Sequence, residues 1–189
     1  MPSPDSQQRQ DNRLVIGIAG RIGAGKTSVG KYLESRYGFC YVRSSQVLSD
    51  WRAKDPESKA HLQAMGWEVM AGGMQPELNA RLIARIPALA DCAVDGLRHP
   101  VDYEALSTNF GRQFKLLYIE SPLETRWQRL QSRSATLEDF SRRESEPVEQ
   151  QIPALREKAY AIIDNDRTLQ ELYTNVDAAL DGIRTGGQT

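Results

Sequence analysis

Residues 20–27 read Gly-Arg-Ile-Gly-Ala-Gly-Lys-Thr, a G-x-x-x-x-G-K-[ST] spacing that seldom arises by chance. Gly20, Gly23 and Gly25 let the backbone turn its N–H groups inward as a nest for phosphate oxygens. A helix starting at the lysine would aim its positive end at the same point. Lys26 then neutralises charge on the β- and γ-phosphates, and the Thr27 hydroxyl ligates Mg²⁺ while water and phosphate fill most of the octahedron. The candidate nucleotide-binding residues are therefore Gly20, Gly23, Ala24, Gly25, Lys26, Thr27 and Ser28, and the ligands they imply are ATP and Mg²⁺.

Phosphoryl transfer needs a second anion clamp, because donor and acceptor both carry negative charge and must be held in line. Asp95 closes the apolar run Ala93-Val94, and Arg98 follows three residues later. Arg98 is a candidate for catalysis and for the acceptor; Asp95 is a candidate for catalysis and for the metal, through water. Arg126, Arg129 and Arg133 fall on one face of a helix by their three-then-four spacing, with Arg142 and Arg143 beyond a turn. Arg133 is read as catalytic, Arg129 as nucleotide-binding, and Arg142 and Arg81 as acceptor-binding. Acidic Glu124, Glu138, Asp139 and Glu144 lie among these arginines, so a solvated ion-pair face is the competing reading for any single one. The cluster as a whole reads as a mobile basic hairpin closing over polyphosphate and excluding water.

Short apolar runs alternating with helical periodicity must position these groups, a rhythm that predicts an α/β fold. Arg13 to Ala19 reads as a central parallel strand, apolar on both faces, and Val29, Tyr32, Leu33 and Tyr37 mark one buried stripe on the helix after it. Phe39 to Arg43, Ala93 to Asp95, Phe114 to Glu120 and Ala161 to Asp164 supply the other strands; residues 44–89 carry only helical signals. Ser121 is placed to cap a helix with Glu124 completing the box, Pro100 to open another, and Thr168 with Glu171 to cap the last. Five strands separated by helices predict a doubly wound parallel sheet with ligands at the carboxyl ends of its strands.

With 189 residues the chain predicts one domain, 13–183, between polar tails at 1–12 and 184–189. Lysine plus arginine (24) nearly balances aspartate plus glutamate (25), so no global field favours nucleic acid or an anionic membrane. No apolar run reaches the ~20 residues of a spanning helix, and the first residues lack the apolar segment of a signal peptide. Cys40 and Cys92, with no CxxC, predict small buried thiols at strand starts rather than a disulfide framework or zinc site. The expectation is a soluble cytoplasmic protein.

These motifs together resemble the P-loop nucleoside/nucleotide kinases, in particular the dephospho-CoA-kinase-like branch that includes a kinase module found ahead of deoxycytidylate deaminase domains. The resemblance is carried by GIAGRIGAGKT, HLQAMGWEVMAGGMQPELNARLI, VDGLRHP, RWQRLQSR and IIDNDRTLQELY, and covers most of Arg13 to Val176. It implies a P-loop NTPase three-layer fold with a five-stranded parallel sheet in the order 2-3-1-4-5, an acceptor-binding helical region at 44–89 and an arginine-bearing lid at 122–146. It also implies that Asn165 and Asp166 lie beside the adenine ring, with Arg129 or Arg133 stacked on it. Dephospho-CoA kinases resemble one another in an acidic residue after the second strand, where this chain has Arg43-Ser44-Ser45. No H-x-E with P-C-x-x-C deaminase signature and no N-K-x-D guanine motif is present.

The first functional expectation is an Mg²⁺-ATP-dependent kinase acting on a small phosphate-bearing acceptor, a nucleoside or deoxynucleoside monophosphate. A phosphate acceptor needs no strong general base, which suits Ser44 and Ser45. Alternatives are a dephospho-CoA-kinase-like alcohol kinase with Asp95 as base, and a non-catalytic nucleotide sensor. A polynucleotide 5′-kinase is disfavoured by the near-neutral charge.

Overall fold

The computed structural model of the chain describes residues 13–52, 59–132 and 135–186. Its centre is a five-stranded sheet in the order β2-β3-β1-β4-β5. β1 (Val15–Ala19) lies between β3 (Cys92–Leu97) and β4 (Phe114–Glu120); β2 (Cys40–Arg43) and β5 (Ala161–Asp164) form the edges, and every pairing is parallel. Strand order thus reverses beside β1, which opens a crevice at the carboxyl end of that strand, where residues 20–27 lie.

Side chains of β1 alternate between two cores because successive residues of a strand point to opposite faces. Val15 and Ala19 join Leu78, Leu82, Leu106, Ile152 and Leu155 on one side. These come from α4 (Gln75–Ala84), α5 (Pro100–Phe110) and the 3₁₀ turn Ile152–Lys158, counting α1 (Lys26–Tyr37), α2 (Ser44–Arg52) and α3 (Lys59–Ala71) before them. Ile16 and Ile18 join Val29 and Leu33 of α1 and Leu172, Val176, Leu180 and Ile183 of α9 (Leu169–Thr185) on the other side. The spacing of that last set gives one apolar stripe along α9, and burying each such side chain stabilises the fold by about 1.5–3 kcal/mol. The remaining helices, α6 (Leu123–Gln131), α7 (Leu137–Ser145) and α8 (Pro147–Gln151), cross the crevice. Among the described residues no helix is long and apolar enough to cross a membrane.

Several boundaries depart from the sequence-based expectation. β3 does not end at Asp95 but runs to Leu97, with a register shift against β1 between Ile18 and Ala19 where Gly96 takes a φ of 95°. Only a residue without Cβ enters that region cheaply, so the bulge sits at the glycine. Ser121 does not cap α6: the helix has Pro122 at its N-cap with no side-chain cap, and the Ser121 hydroxyl accepts instead from Arg129 Nη1 at 3.1 Å. Cys92 is buried, whereas Cys40 is only partly so. α9 continues to Thr185, into the expected tail. Arg133 and residues 1–12 lie outside the described residues.

α9 begins with the reciprocal pair the sequence suggests, Thr168 accepting from Glu171 N–H and Glu171 accepting from Thr168 N–H at 3.1 Å. We predict that Thr168→Ala destabilises the fold by about 0.5–2 kcal/mol. The check is a urea titration, where a lower midpoint at unchanged slope is expected; an unmoved midpoint would show that the cap contributes nothing.

Candidate active site

The loop after β1 turns through positive φ at Gly20, Gly23 and Gly25 (147°, 79° and 105°). Gly25 is doubly constrained, since a Cβ there would sit 2.3 Å from Asn165 Nδ2. That amide donates to Ala24 O at 2.7 Å, so the end of β5 braces the loop. Lys26 folds back over its own loop, with Nζ donating to Gly20 O at 2.6 Å and Arg21 O at 3.1 Å. Burial lowers the Lys26 pKa from the ordinary lysine value. Glu149 opposes that shift, Arg98 adds to it, Asp95 opposes it and Arg126 adds to it.

The Thr27 hydroxyl donates to Asp95 Oδ2 at 3.2 Å, and Tyr41 OH donates to the same oxygen at 2.5 Å. Burial, then the Asp95 charge, pushes the Tyr41 hydroxyl far above its usual range, so it remains a proton donor. A hydroxyl and a buried carboxylate side by side at the start of α1 are hard oxygen donors that fit Mg²⁺, Thr27 directly and Asp95 through water. Among the described residues no group of three or more His, Cys, Asp or Glu could hold a metal alone, and phosphate oxygens would complete this one.

A cavity of about 460 Å³ runs from this loop across the sheet end. On the loop side Lys26, Thr27, Ser28, Arg129, Asn165 and Arg167 line it; farther on come Arg43, Ser44, Ser45, Arg98, His99 and Arg143, with Leu48, Met70, Leu78 and Val148 as apolar wall. Arg98 is anchored by Glu149, its Nη1 donating to Oε1 at 2.7 Å. Asp102 also borders the cavity, but accepts from the backbone of Arg98 and His99 at 2.9 Å and from Gln75 at 2.6 Å. It caps α5 and has little capacity left for other work.

The structure brings together most sequence candidates and separates others. Arg129 donates to Asn165 O at 2.9 Å and Oδ1 at 3.0 Å, beside the loop. Arg126 is buried: it donates to Ser121 O and Ile22 O, both at 3.1 Å, and to Glu144. Arg142 does not line the cavity; it is exposed and paired with Asp139 at 3.1 Å. Arg81 also lies away from it, paired with Glu77 at 2.8 Å and over the Trp51 ring at 4.9 Å. Arg143 lines the cavity in place of its neighbour, with a buried Nε that has no hydrogen-bond partner among the described residues. The signal was Phe140, the buried residue of α7: three residues on along a helix is the same face, two on is not. Tyr41 and Glu149, absent from the sequence candidates, carry no local signal, since each acts on a residue more than fifty positions away.

A family model described as AAA domain matches residues 16–150. No curated protein matches the chain. Among solved structures, the shikimate kinase from Acinetobacter baumannii in complex with shikimate is similar at 17% identity and a TM-score of 0.67, covering 96% of this chain and 99% of that one. A gluconokinase from Sinorhizobium meliloti gives 15%, 0.62, 92% and 94% in the same terms. Dephospho-CoA kinase from Campylobacter jejuni gives 15%, 0.54, 92% and 98%. At such identities the likeness establishes the fold, which is that of the P-loop kinases.

Burial separates two of the arginines energetically. Arg126→Ala leaves Glu144 with Arg21 alone and the Ser121 and Ile22 carbonyls without their donor, and is expected to lower stability by about 1.5–3 kcal/mol, while Arg142→Ala should stay within about 0.5 kcal/mol of the parent. Thermal or denaturant unfolding decides it. Equal effects from both changes would mean that Arg126 does not lock α6 to the loop.

Proposed function

The chain belongs to the AAA domain family, and from that premise we propose an Mg²⁺- and ATP-dependent kinase acting on a small phosphate-bearing acceptor, a nucleoside or deoxynucleoside monophosphate. One observation carries the reading. The cavity is lined by Lys26 and Thr27 of the phosphate loop together with Arg43, Arg98 and Arg143, while of its carboxylates among the described residues Asp102 accepts through both oxygens and Asp95 accepts from Thr27 and Tyr41 through Oδ2. Several cations around a carboxylate that Thr27 and Tyr41 hold at the phosphate loop suit an acceptor whose attacking oxygen is already anionic.

The roles follow from placement. Backbone N–H groups of Gly23, Gly25 and Lys26 hold phosphate oxygens, and Lys26 leaves its loop carbonyls to meet charge that develops on the transferred group. Mg²⁺, when bound, neutralises charge between the phosphates; Thr27 and Asp95 are the side chains that hold it, with Tyr41 fixing Asp95. Arg98 and Arg143, which both line the cavity, clamp the acceptor phosphate. The adenine lies against Arg129 and Asn165, and the lid over residues 122–146 pivots on the buried Arg126.

A second reading keeps the kinase but makes the acceptor an alcohol, as the names of the shikimate kinase, gluconokinase and dephospho-CoA kinase suggest for those proteins, with Asp95 as base. A panel of nucleoside monophosphates, shikimate, gluconate and dephospho-CoA, read by ADP release with Mg²⁺-ATP, separates the two. Turnover of a monophosphate is expected; turnover of an alcohol alone reassigns the acceptor, and none at all leaves a nucleotide sensor. With the responding acceptor, Lys26→Ala should cut turnover by about 10³-fold or more. Arg98→Gln should raise the acceptor KM by about 10- to 150-fold, the equivalent of roughly 1.5–3 kcal/mol, with the ATP KM little changed. Unchanged turnover in the lysine variant would remove the mechanism, and equal damage to both KM values would move Arg98 to the donor side.

A further inference from the structure

Glu149 is fully buried, yet no step of the transfer just described uses it. A carboxylate held away from water is costly unless both oxygens are partnered, and here each has a different partner. Oε2 accepts from the backbone N–H of Ile22, in the phosphate loop, at 2.9 Å. Oε1 accepts from Arg98 Nη1, on the acceptor side, at 2.7 Å. Its negative charge is also the largest single influence favouring the charged form of Lys26. One rigid group thus links the donor cradle to the acceptor arginine.

Ile22 is held from the other side as well. Its carbonyl accepts from Arg126, and its neighbour Arg21 pairs with Glu144 at 2.6 Å. The segment carrying Glu144 and Glu149 therefore grips the loop at consecutive residues. If Glu149 served only to fasten α8, an amide of the same shape would serve as well, because the Ile22 N–H needs an acceptor and not a charge. The charge is needed by Lys26 and Arg98, two cations that line the same cavity and act on each other before any phosphate is present.

We infer that Glu149 is a positioning residue for phosphoryl transfer: its carboxylate stands in for phosphate between Lys26 and Arg98, and it aims Arg98 at the acceptor from a fixed point on the phosphate loop. The inference rests on the reading of Arg98 as the acceptor clamp. Its consequence is a pair of effects of opposite sign. An acceptor phosphate must share Arg98 with Glu149, so removing the charge strengthens anion binding. The same change frees Arg98 from its aim, so productive transfer slows.

The test uses the full chain saturated with Mg²⁺ and a non-hydrolysable ATP analogue, into which inorganic phosphate is titrated by calorimetry, alongside ADP release with the monophosphate that responds best. Glu149→Gln should bind phosphate about 3- to 10-fold more tightly and turn over about 10- to 100-fold more slowly, with analogue affinity equal to or above that of the parent. Unchanged phosphate affinity and turnover, or weakening of both together with a lower melting temperature, overturns the inference. Glu149→Asp keeps the charge but is one methylene short of spanning Ile22 and Arg98. It should retain near-parental phosphate affinity and lose turnover, and parental turnover in it overturns the inference even if the glutamine variant fails to fold. A parent chain that binds the analogue but turns over no monophosphate refutes the proposed acceptor, whereas the phosphate titrations still decide the role of Glu149.

Discussion

The structure is organised by a crowd of cations around a single short loop. Lys26 bends over it, Arg21 is part of it, Arg126 donates to it, and Arg98 is tied to it through Glu149. Like charges in a crevice screened from water repel, and a site suited to polyphosphate must survive without it. Glu144, Glu149 and Asp95 supply the interim counter-charge. Two of these three sit on α7 and α8, so the helices that cross the crevice are fastened to the loop by the very imbalance that ATP is suited to correct. Phosphate binding in such a site is an exchange of anions more than an addition of one.

This exchange divides the arginines of residues 122–146 into two kinds. Arg126, buried and shared among Ser121 O, Ile22 O and Glu144, is a fixed anchor, because a guanidinium with its donors spent has little to offer a ligand. Arg129 and Arg143 border the cavity, Arg129 tied to Ser121 and Asn165 and Arg143 with a buried Nε that has no hydrogen-bond partner among the described residues. A helical face of arginines therefore need not be one functional surface.

The fold was legible in the sequence wherever its cause is local. The phosphate loop depends on glycines within six residues of one another, the cap of α9 on Thr168 and Glu171, and the central strand on a run of apolar residues. The strand order was legible only through family resemblance, since nothing in the periodicity says which strand lies beside which. The end of β3 lies beyond Asp95, which closes the apolar run in the sequence, because the structure uses the freedom of Gly96 to make a bulge and carry pairing on to Leu97. On the site, Lys26, Thr27, Asp95 and Arg98 come together as their spacing suggested. Tyr41 and Glu149 could not be read, because a buried tyrosine or glutamate acquires its task from partners that only the folded chain brings near. The exchange of Arg142 for Arg143 is a matter of 100° of helix rotation, which Phe140 fixes and composition does not.

The competition between an alcohol and a phosphate acceptor comes down to where the proton goes. An alcohol must lose one as it attacks, so a carboxylate with a vacant lone pair at the acceptor end would be expected. The segment after β2 offers Arg43, Ser44 and Ser45 instead, Asp102 spends Oδ2 on the turn that carries Arg98 and Oδ1 on Gln75, and Asp95 is held through Oδ2 by Thr27 and Tyr41 at the phosphate loop. That expenditure is informative in itself. By holding the backbone of Arg98 and His99 at the head of α5, Asp102 gives up any part in proton transfer and fixes the origin of the arginine that Glu149 then aims. Two buried carboxylates thus fix one arginine, Asp102 through its backbone and Glu149 through its guanidinium, a use of acidic residues for placing charge.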